Sequence, residues 1–136
     1  MTITQAMVLA AGLGTRLRPI TDTMPKPLVP VYGKAMIDYG LDALADAGVT
    51  RAVVNVHHFP DLMEAHLQAY DRMEIAISDE RAALLNSGGG LAKGLKLLPR
   101  AETFVMNADL FWVGEKPGQR TNLQKLAEFF DARAMD

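Results

Sequence analysis

The chain has 136 residues, of which 49% are hydrophobic and 22% are charged, and its formal net charge is −2. These values suit a single domain over residues 1–136, and they provide no overall field that would attract the chain to nucleic acid or to a membrane. The chain contains no cysteine, which excludes disulfides, thiolate metal sites and cysteine nucleophiles. It begins without a basic segment or a long apolar run, so we expect a cytoplasmic protein.

Strands and helices are expected to alternate along the chain. Apolar or alternating residues predict strands at 6–10, 51–56, 73–77 and 103–108. Apolar residues at helical spacing predict helices at 34–48, at 60–70, through Leu91, Leu95 and Leu98 up to Pro99, and after Thr121. This alternation predicts an α/β fold with a Rossmann-like, open and mainly parallel sheet that carries helices on both faces.

The last predicted helix has a specific start signal. Gln124 lies three residues after Thr121, which is the spacing of a capping box. Leu123, Leu126 and Phe130 are expected to face inward. The adjacent Phe129 and Phe130 cannot share one helix face, so we expect one of them to be exposed, as a mark either of a missing half of the domain or of a subunit contact in a homo-oligomer.

The most informative stretch is residues 7–31. An apolar strand leads into a loop in which the backbone amides of Gly12 and Gly14 can approach an anion closely. Arg16 can fork onto two phosphate oxygens, whereas Lys26, held between two prolines, acts as a point charge whose backbone has little freedom. The stretch therefore predicts a rigid loop that binds a small phosphorylated ligand.

The glycine loop has three other interpretations. A dinucleotide fingerprint requires a third glycine where Leu17 stands, and Pro19 obstructs the helix that should follow. A P-loop requires a hydroxyl residue after Gly-Lys, but Ala35 follows Lys34. A tight strand-to-turn junction without a ligand is the remaining alternative, and the nearby arginines and the proline-flanked lysine argue against it.

The motifs resemble those of a known family. Residues 9–19, followed by residues 25–31, are similar to the N-terminal signature of the sugar-1-phosphate nucleotidyltransferases. Residues 86–94 resemble the glycine-rich segment of that family, and residues 105–109 resemble its strand-end metal aspartate. The triple glycine is most similar to N-acetylmuramate-1-phosphate uridylyltransferases and to mannose-1-phosphate guanylyltransferase-like proteins. The resemblance implies the N-terminal part of a nucleotide-diphospho-sugar transferase fold.

The resemblance also implies a reaction and a set of roles. Such enzymes transfer a nucleoside monophosphate, here expected to be UMP from UTP, to a sugar 1-phosphate and release pyrophosphate. Arg16 would contact the pyrophosphate, Lys26 the α-phosphate and Asn107 the substrate, while Asp109 would bind Mg²⁺. The nucleotide-binding residues would be Ala11, Gly12, Gly14, Thr15, Ser87, Gly88 and Gly89.

The sequence departs from the family in two respects. Ala108 stands where the family often has glycine before the metal aspartate. Family members also continue well past 200 residues, and their later half supplies a second metal ligand and much of the sugar pocket. We therefore expect the chain to be a truncated form that keeps the nucleotide-binding parts. A nucleotide-binding or regulatory module without turnover remains an alternative, and a Rossmann-type oxidoreductase domain is a third.

Several polar or aromatic residues receive no catalytic role. His57 and His58 are expected to make polar contacts at a strand end or to face the sugar, rather than to bind metal. Asp79 and Glu80 are expected to be solvated in a loop. Trp112 is at least as well suited to packing as to stacking on a ligand.

Overall fold

The protein is built from parallel strands joined by helices, and the computed structural model describes residues 2–135. Among these residues the strands are β1 (Gln5–Leu9), β2 (Pro30–Val31), β3 (Lys34–Ala35), β4 (Arg51–Val56), β5 (Glu74–Asp79) and β6 (Phe104–Asn107). The helices of the same part are α1 (Met36–Asp46), α2 (Pro60–Gln68), α3 (Asn86–Leu95) and α4 (Asn122–Phe129). Three single 3-10 turns lie between β1 and β2, at Thr15–Leu17, Ile20–Asp22 and Lys26–Leu28.

Four of the strands form one parallel sheet in the order β5-β4-β1-β6. The register aligns Val8 of β1 with Val54 of β4 and Met106 of β6, and Val54 in turn with Ile77 of β5. An apolar row therefore crosses the whole sheet. Because all four strands run in the same direction, their carboxyl ends meet at one edge, where the loops after β1 and β6 are neighbours. The predicted parallel sheet is confirmed.

The sheet is covered on both faces, as predicted. Successive side chains of a strand point to opposite faces, so Ala6 and Val8 join the core beneath α1 and α2 while Met7 joins Val53 beneath α3. On the α3 side the helix approaches the sheet so closely that a Cβ added at Gly94 would collide with the sulfur of Met7. Both central strands, β1 and β4, are consequently buried on both sides, as the continuous apolar sequence of β1 predicted for that strand.

Two predicted helices have different bounds in the structure. Residues 34 and 35, expected to open a helix, instead form β3, which pairs antiparallel with β2 across a two-residue turn at Tyr32 and Gly33. Both turn residues have positive φ, 51° and 74°, which matches a tight hairpin. The helix predicted through Leu91, Leu95 and Leu98 up to Pro99 spans Asn86–Leu95, so it contains the triple glycine and ends before Leu98. Glycine disfavours helix, and packing overrides that preference here.

The last helix confirms the capping box but not the whole inward face. The Thr121 side chain accepts a hydrogen bond from the Gln124 amide, and the Gln124 side chain accepts one from the Thr121 amide. Leu123 is buried, but Leu126 is 55% exposed, so its predicted inward position is wrong. Ala127 takes the buried position instead. Phe129 is exposed, as expected for one of the two phenylalanines.

The helices of residues 2–135 are short, the longest having eleven residues. None of them combines the length and apolar character that crossing a lipid bilayer requires.

The core position of Leu44 gives a direct test of this packing. Leu44 is fully buried in α1, so Leu44→Ala should lower the free energy of unfolding by about 2–5 kcal/mol. Leu126→Ala is the matched control and should cost less than about 1 kcal/mol, because that side chain remains largely in water. Equilibrium unfolding in urea measures both, and equal losses would contradict the burial described for the two leucines.

Candidate active site

A cleft of about 450 Å³ opens at the carboxyl edge of the sheet, between the ends of β1 and β6. β1 has β4 as its neighbour on one side and β6 on the other. The order of the strands therefore changes direction at β1, because the chain continues from β1 to β4 and β5 on one side and reaches the other side only with β6. Such a change of direction is where open α/β sheets bind ligands. The cleft has a loop wall (residues 9–17 with Lys26), a helix wall (Leu84, Asn86 and Ser87) and a strand-end side (residues 107–109).

The loop wall is held by hydrogen bonds to its own backbone. Gly14 has a φ of 64°, and its carbonyl accepts hydrogen bonds from the Thr21 hydroxyl at 2.6 Å and from the Leu17 amide at 3.0 Å. The carbonyl of the buried Thr21 accepts a further bond from His58 Nε2 at 2.7 Å. The turn is followed by a 3-10 turn rather than an α-helix, so the loop does not have the arrangement that a dinucleotide fingerprint requires.

The two histidines make the polar strand-end contacts predicted for them. His57 Nδ1 bonds to the carbonyl of Glu80 at 2.6 Å, and His58 Nε2 bonds to that of Thr21. A carbonyl oxygen only accepts, so the ring nitrogen facing it carries the proton. These histidines therefore support the loops around the cleft. Trp112 packs partly buried against the core.

Lys26 and Asp109 meet across the cleft although 83 residues separate them in sequence. The ammonium of Lys26 donates to Oδ2 of Asp109 at 2.7 Å, and both side chains remain partly accessible to solvent. The proline before Lys26 has a φ of −70° and the residue after it is Pro27, so the lysine backbone is tightly restricted. A cation and a carboxylate thus lie together beside the glycine loop.

Two of the four basic residues in the segment 16–34 face away from the cleft. Arg18 lies 3.5 Å from Asp22 on the surface. Lys34 pairs with Asp42 of α1. Partial burial acts to raise the pKa of Asp42, but hydrogen bonds from Lys34 and Tyr70 outweigh it and hold that pKa below its ordinary value. The cationic groups of the segment that border the cleft are Arg16 and Lys26.

Most of the site residues predicted from sequence border this cleft. They are Ala11, Gly12, Gly14, Thr15, Arg16, Lys26, Ser87, Asn107 and Asp109. Gly88 and Gly89 do not border it and lie exposed in the first turn of α3. Ser87 and its neighbour Asn86 begin this helix, where backbone N–H groups have no partner within the helix and the dipole favours negative charge.

Asp109 is the carboxylate at the cleft that can hold a cation. Within residues 2–135 no group of three or more histidine, aspartate or glutamate side chains is close enough to form a complete metal site. Mg²⁺ is nevertheless often held by one or two protein carboxylates together with the phosphates of a substrate. Asp109, partly exposed at the end of β6, fits that kind of shared coordination.

Sequence reasoning missed two residues beside the cleft. Asn55, which is 3% exposed and borders it, accepts a hydrogen bond from the Ala10 amide at 2.6 Å. Glu80 is 2% exposed and bonds to Asn55, so its predicted solvation is wrong. The available signal was Asn55 itself, since an amide inside the apolar run of β4 needs a buried partner.

Residues 5–135 match the model of the nucleotidyl transferase family. The chain belongs to this family. The resemblance inferred from the sequence motifs is thereby confirmed.

Two curated relatives illustrate the likeness. The chain is 54% identical over 112 residues to an N-acetylmuramate alpha-1-phosphate uridylyltransferase of Caulobacter vibrioides, covering 79% of this chain and 46% of the relative. It is 42% identical over 111 residues to a mannose-1-phosphate guanyltransferase of Neurospora crassa, covering 78% of this chain and 30% of the relative. The chain thus spans half or less of the length of these relatives.

A solved structure shows the same fold. A UDP-glucose pyrophosphorylase complexed with UDP-glucose superimposes with a TM-score of 0.79 at 19% sequence identity. The match covers 93% of this chain and 53% of that protein. At this identity the likeness concerns the fold.

The glycine loop provides a test that separates backbone strain from open space. Gly14→Ala should destabilise the protein, because a left-handed alanine costs roughly 1–2 kcal/mol and the new Cβ would lie 2.8 Å from Thr21 Cγ2. Gly12→Ala is the matched control: nothing lies within 4 Å of its Cβ, and its φ is not positive. Thermal unfolding should show a lower melting temperature for Gly14→Ala alone, and a similar loss in both variants would contradict the loop geometry.

Proposed function

We propose that the protein transfers a nucleoside monophosphate from a nucleoside triphosphate to a sugar 1-phosphate and releases pyrophosphate. The observation that carries this proposal is the meeting of Lys26 and Asp109, 2.7 Å apart, beside the glycine loop. This arrangement offers a cation for phosphate and a carboxylate for a metal ion in one cleft. Membership of the nucleotidyl transferase family supports the same reaction class.

The reaction makes modest demands on the protein. A sugar phosphate oxygen is already anionic at neutral pH, so it attacks without a strong general base. It forms a bond to the α-phosphorus, the bond from that phosphorus to the bridging oxygen breaks, and pyrophosphate leaves with the electron pair. Catalysis then consists of alignment and of neutralising charge around the phosphorus.

The roles assigned to the side chains are those that the resemblance to the family implies, and the charges of the groups agree with them. In our proposal Lys26 holds the α-phosphate, and Arg16 contacts the departing pyrophosphate. Asn107 contacts the substrate at the end of β6. The nucleobase lies between the two walls, against Ala11, Gly12, Gly14 and Thr15 on the loop wall and against Ser87 on the helix wall. The predicted contacts of Gly88 and Gly89 require a ligand that extends along α3 beyond the lining of the cleft.

Mg²⁺ is the cofactor that we propose, held by Asp109 together with phosphate oxygens. When bound, the ion supplies positive charge that offsets the charge developing on the phosphates. Lys26 neutralises Asp109 in this structure. We therefore infer that the nucleotide and the metal ion bind together: a phosphate of the nucleotide takes the place of Asp109 beside Lys26, and the metal ion takes the place of Lys26 beside Asp109.

We propose UTP as the nucleotide and N-acetylmuramate 1-phosphate as the first sugar to examine. Both are suggested by the printed name of the relative that is 54% identical, whereas the relatives named as guanyltransferases are 36–42% identical. Base choice rests on a few hydrogen bonds, each of which discriminates by about 1–3 kcal/mol. Location in the cytoplasm, homo-oligomer formation and the extent of the domain stay predictions.

A second candidate function is nucleotide binding without turnover. The observation that favours it is the match to only 46% of the length of the uridylyltransferase relative. Residues of that relative outside the matched part would then be needed for the chemical step.

Binding and turnover together test the proposal. Calorimetric titration with UTP, GTP and NADH in the presence of Mg²⁺ should show UTP binding most tightly. Release of pyrophosphate on addition of a sugar 1-phosphate would then support the transferase, while tight binding without release would support the second candidate. Preference for NADH, or no binding of any nucleotide, would contradict both.

The two arginines of the loop form a matched pair for mutagenesis. Arg16→Ala should raise the UTP dissociation constant roughly 10- to 150-fold, because a hydrogen bond to a charged group is worth about 1.5–3 kcal/mol. Arg18→Ala removes the same charge from a side chain that faces Asp22 and should have little effect. Equal effects of the Arg16 and Arg18 variants would contradict the assignment of Arg16 to the phosphates.

The lysine of the cleft gives a second test. Lys26→Ala should weaken UTP binding as Arg16→Ala does, with Lys125→Ala, at an exposed position, as its control.

A further inference from the structure

A buried pair of polar side chains, Asn55 and Glu80, connects the two walls of the cleft. Nδ2 of Asn55 donates to Oε2 of Glu80 at 2.8 Å, and both residues are almost completely buried. Asn55 is the next-to-last residue of β4, and Glu80 directly follows β5. The pair therefore lies at the same edge of the sheet as the cleft.

Each member of the pair also holds the backbone of one wall. Oδ1 of Asn55 accepts from the Ala10 amide at 2.6 Å, which fixes the chain where it leaves β1 for the glycine loop. Oε1 of Glu80 accepts from the Leu85 amide at 2.9 Å, which fixes the residue just before α3. A continuous chain of hydrogen bonds thus runs from the loop wall to the helix wall.

The helix is fitted closely over this pair. A Cβ added at Gly90 would lie 2.7 Å from Nδ2 of Asn55 and 3.1 Å from Oε2 of Glu80. Glycine at this position therefore allows α3 to rest directly on the two side chains. The helix wall is located both by the bond to Leu85 and by this contact.

We propose that Asn55 and Glu80 are positioning residues that set the distance between the loop wall and the helix wall, and thereby determine the affinity for the nucleobase portion of the nucleotide. This inference rests on the proposed function. A ligand that touches both walls needs their correct separation. A ligand that touches the loop wall alone does not.

The donors and acceptors in this series of hydrogen bonds allow one arrangement of the Asn55 and Glu80 side chains. Glu80 faces two N–H groups, which a carboxylate with two acceptor oxygens satisfies. Asn55 must turn its oxygen to Ala10 and its nitrogen to Glu80. In Glu80→Gln, an amide nitrogen faces a donor, and in Asn55→Asp, two carboxylates face each other. Either variant leaves a buried group without its partner, which is costly.

The double variant Asn55→Asp with Glu80→Gln restores all three hydrogen bonds and reverses the direction of the one between the two side chains. Asp at 55 accepts from Ala10 and from the new amide at 80, and that amide's oxygen accepts from Leu85. The shape and the net charge of the pair are unchanged. Rescue by the double variant therefore reports on hydrogen-bond matching rather than on volume or charge.

The experiment measures two affinities in Mg²⁺, for UTP and for inorganic tripolyphosphate, with the unaltered chain, both single variants and the double variant. Tripolyphosphate probes the loop wall with Lys26 and Arg16, whereas UTP also needs the helix wall. Each single variant should weaken UTP binding roughly 5- to 150-fold, the range for one unpaired buried group. Tripolyphosphate binding should stay nearly constant, and the double variant should regain UTP affinity. Glu74→Gln, on the exposed side of β5, is the control and should change neither affinity.

Three results would overturn the inference. These are UTP binding by the single variants equal to that of the unaltered chain, an equal loss of affinity for both ligands, and no rescue by the double variant. If a single variant does not fold, Gly90→Ala presses on the pair without changing its hydrogen-bonding groups and provides the same comparison of ligands. Failure of the unaltered chain to bind UTP would instead overturn the proposed function, and this inference with it.

Discussion

The parallel pairing of β1 with a strand on each side is the constraint on which the rest of the structure depends. Because β4 and β6 both run parallel to β1, three chain segments leave the sheet at one edge. The glycine loop, Asn55 and Asp109 reach the cleft for this reason, although they are far apart in sequence. Burial on both faces requires β1 to be apolar throughout its interior, so the polar chemistry begins only where the strand ends.

The ion pair between Lys26 and Asp109 is better explained by ligand binding than by stability. Both side chains are partly exposed, and a solvent-accessible pair of this kind contributes about 0–1 kcal/mol. So small a contribution to stability does not explain why a long loop with a restricted backbone holds the lysine in this place. In the proposed function a phosphate and a metal ion would enter the cleft, and each of these two groups would then have a partner of opposite charge. The pair keeps both charges compensated in the absence of ligand.

Much of the fold was predictable because it depends on local patterns. The apolar run of β1 and the capping box at Thr121 specify their elements through neighbouring residues, and the structure agrees. Predictions were wrong where tertiary contacts decide the bounds of an element or the burial of a side chain. The triple glycine is helical because Gly90 fits over a buried pair that is distant in sequence. Leu126 is exposed because Ala127 occupies the inward position. In the site, motifs indicated the residues of the loop wall, but nothing local indicated that Glu80 is buried.

The burial of Glu80 is explained by its hydrogen bonds to groups that are not its neighbours in sequence. A buried carboxylate is costly unless its oxygens are hydrogen-bonded, and here both are, to Asn55 and to the Leu85 amide. An apolar pair could fill the same space, but it would leave the amides of Ala10 and Leu85 without acceptors. These two amides belong to the segments that form the opposite walls of the cleft. The polar pair therefore satisfies the backbone at the points where the chain leaves β1 and enters α3, on the two sides of the candidate site.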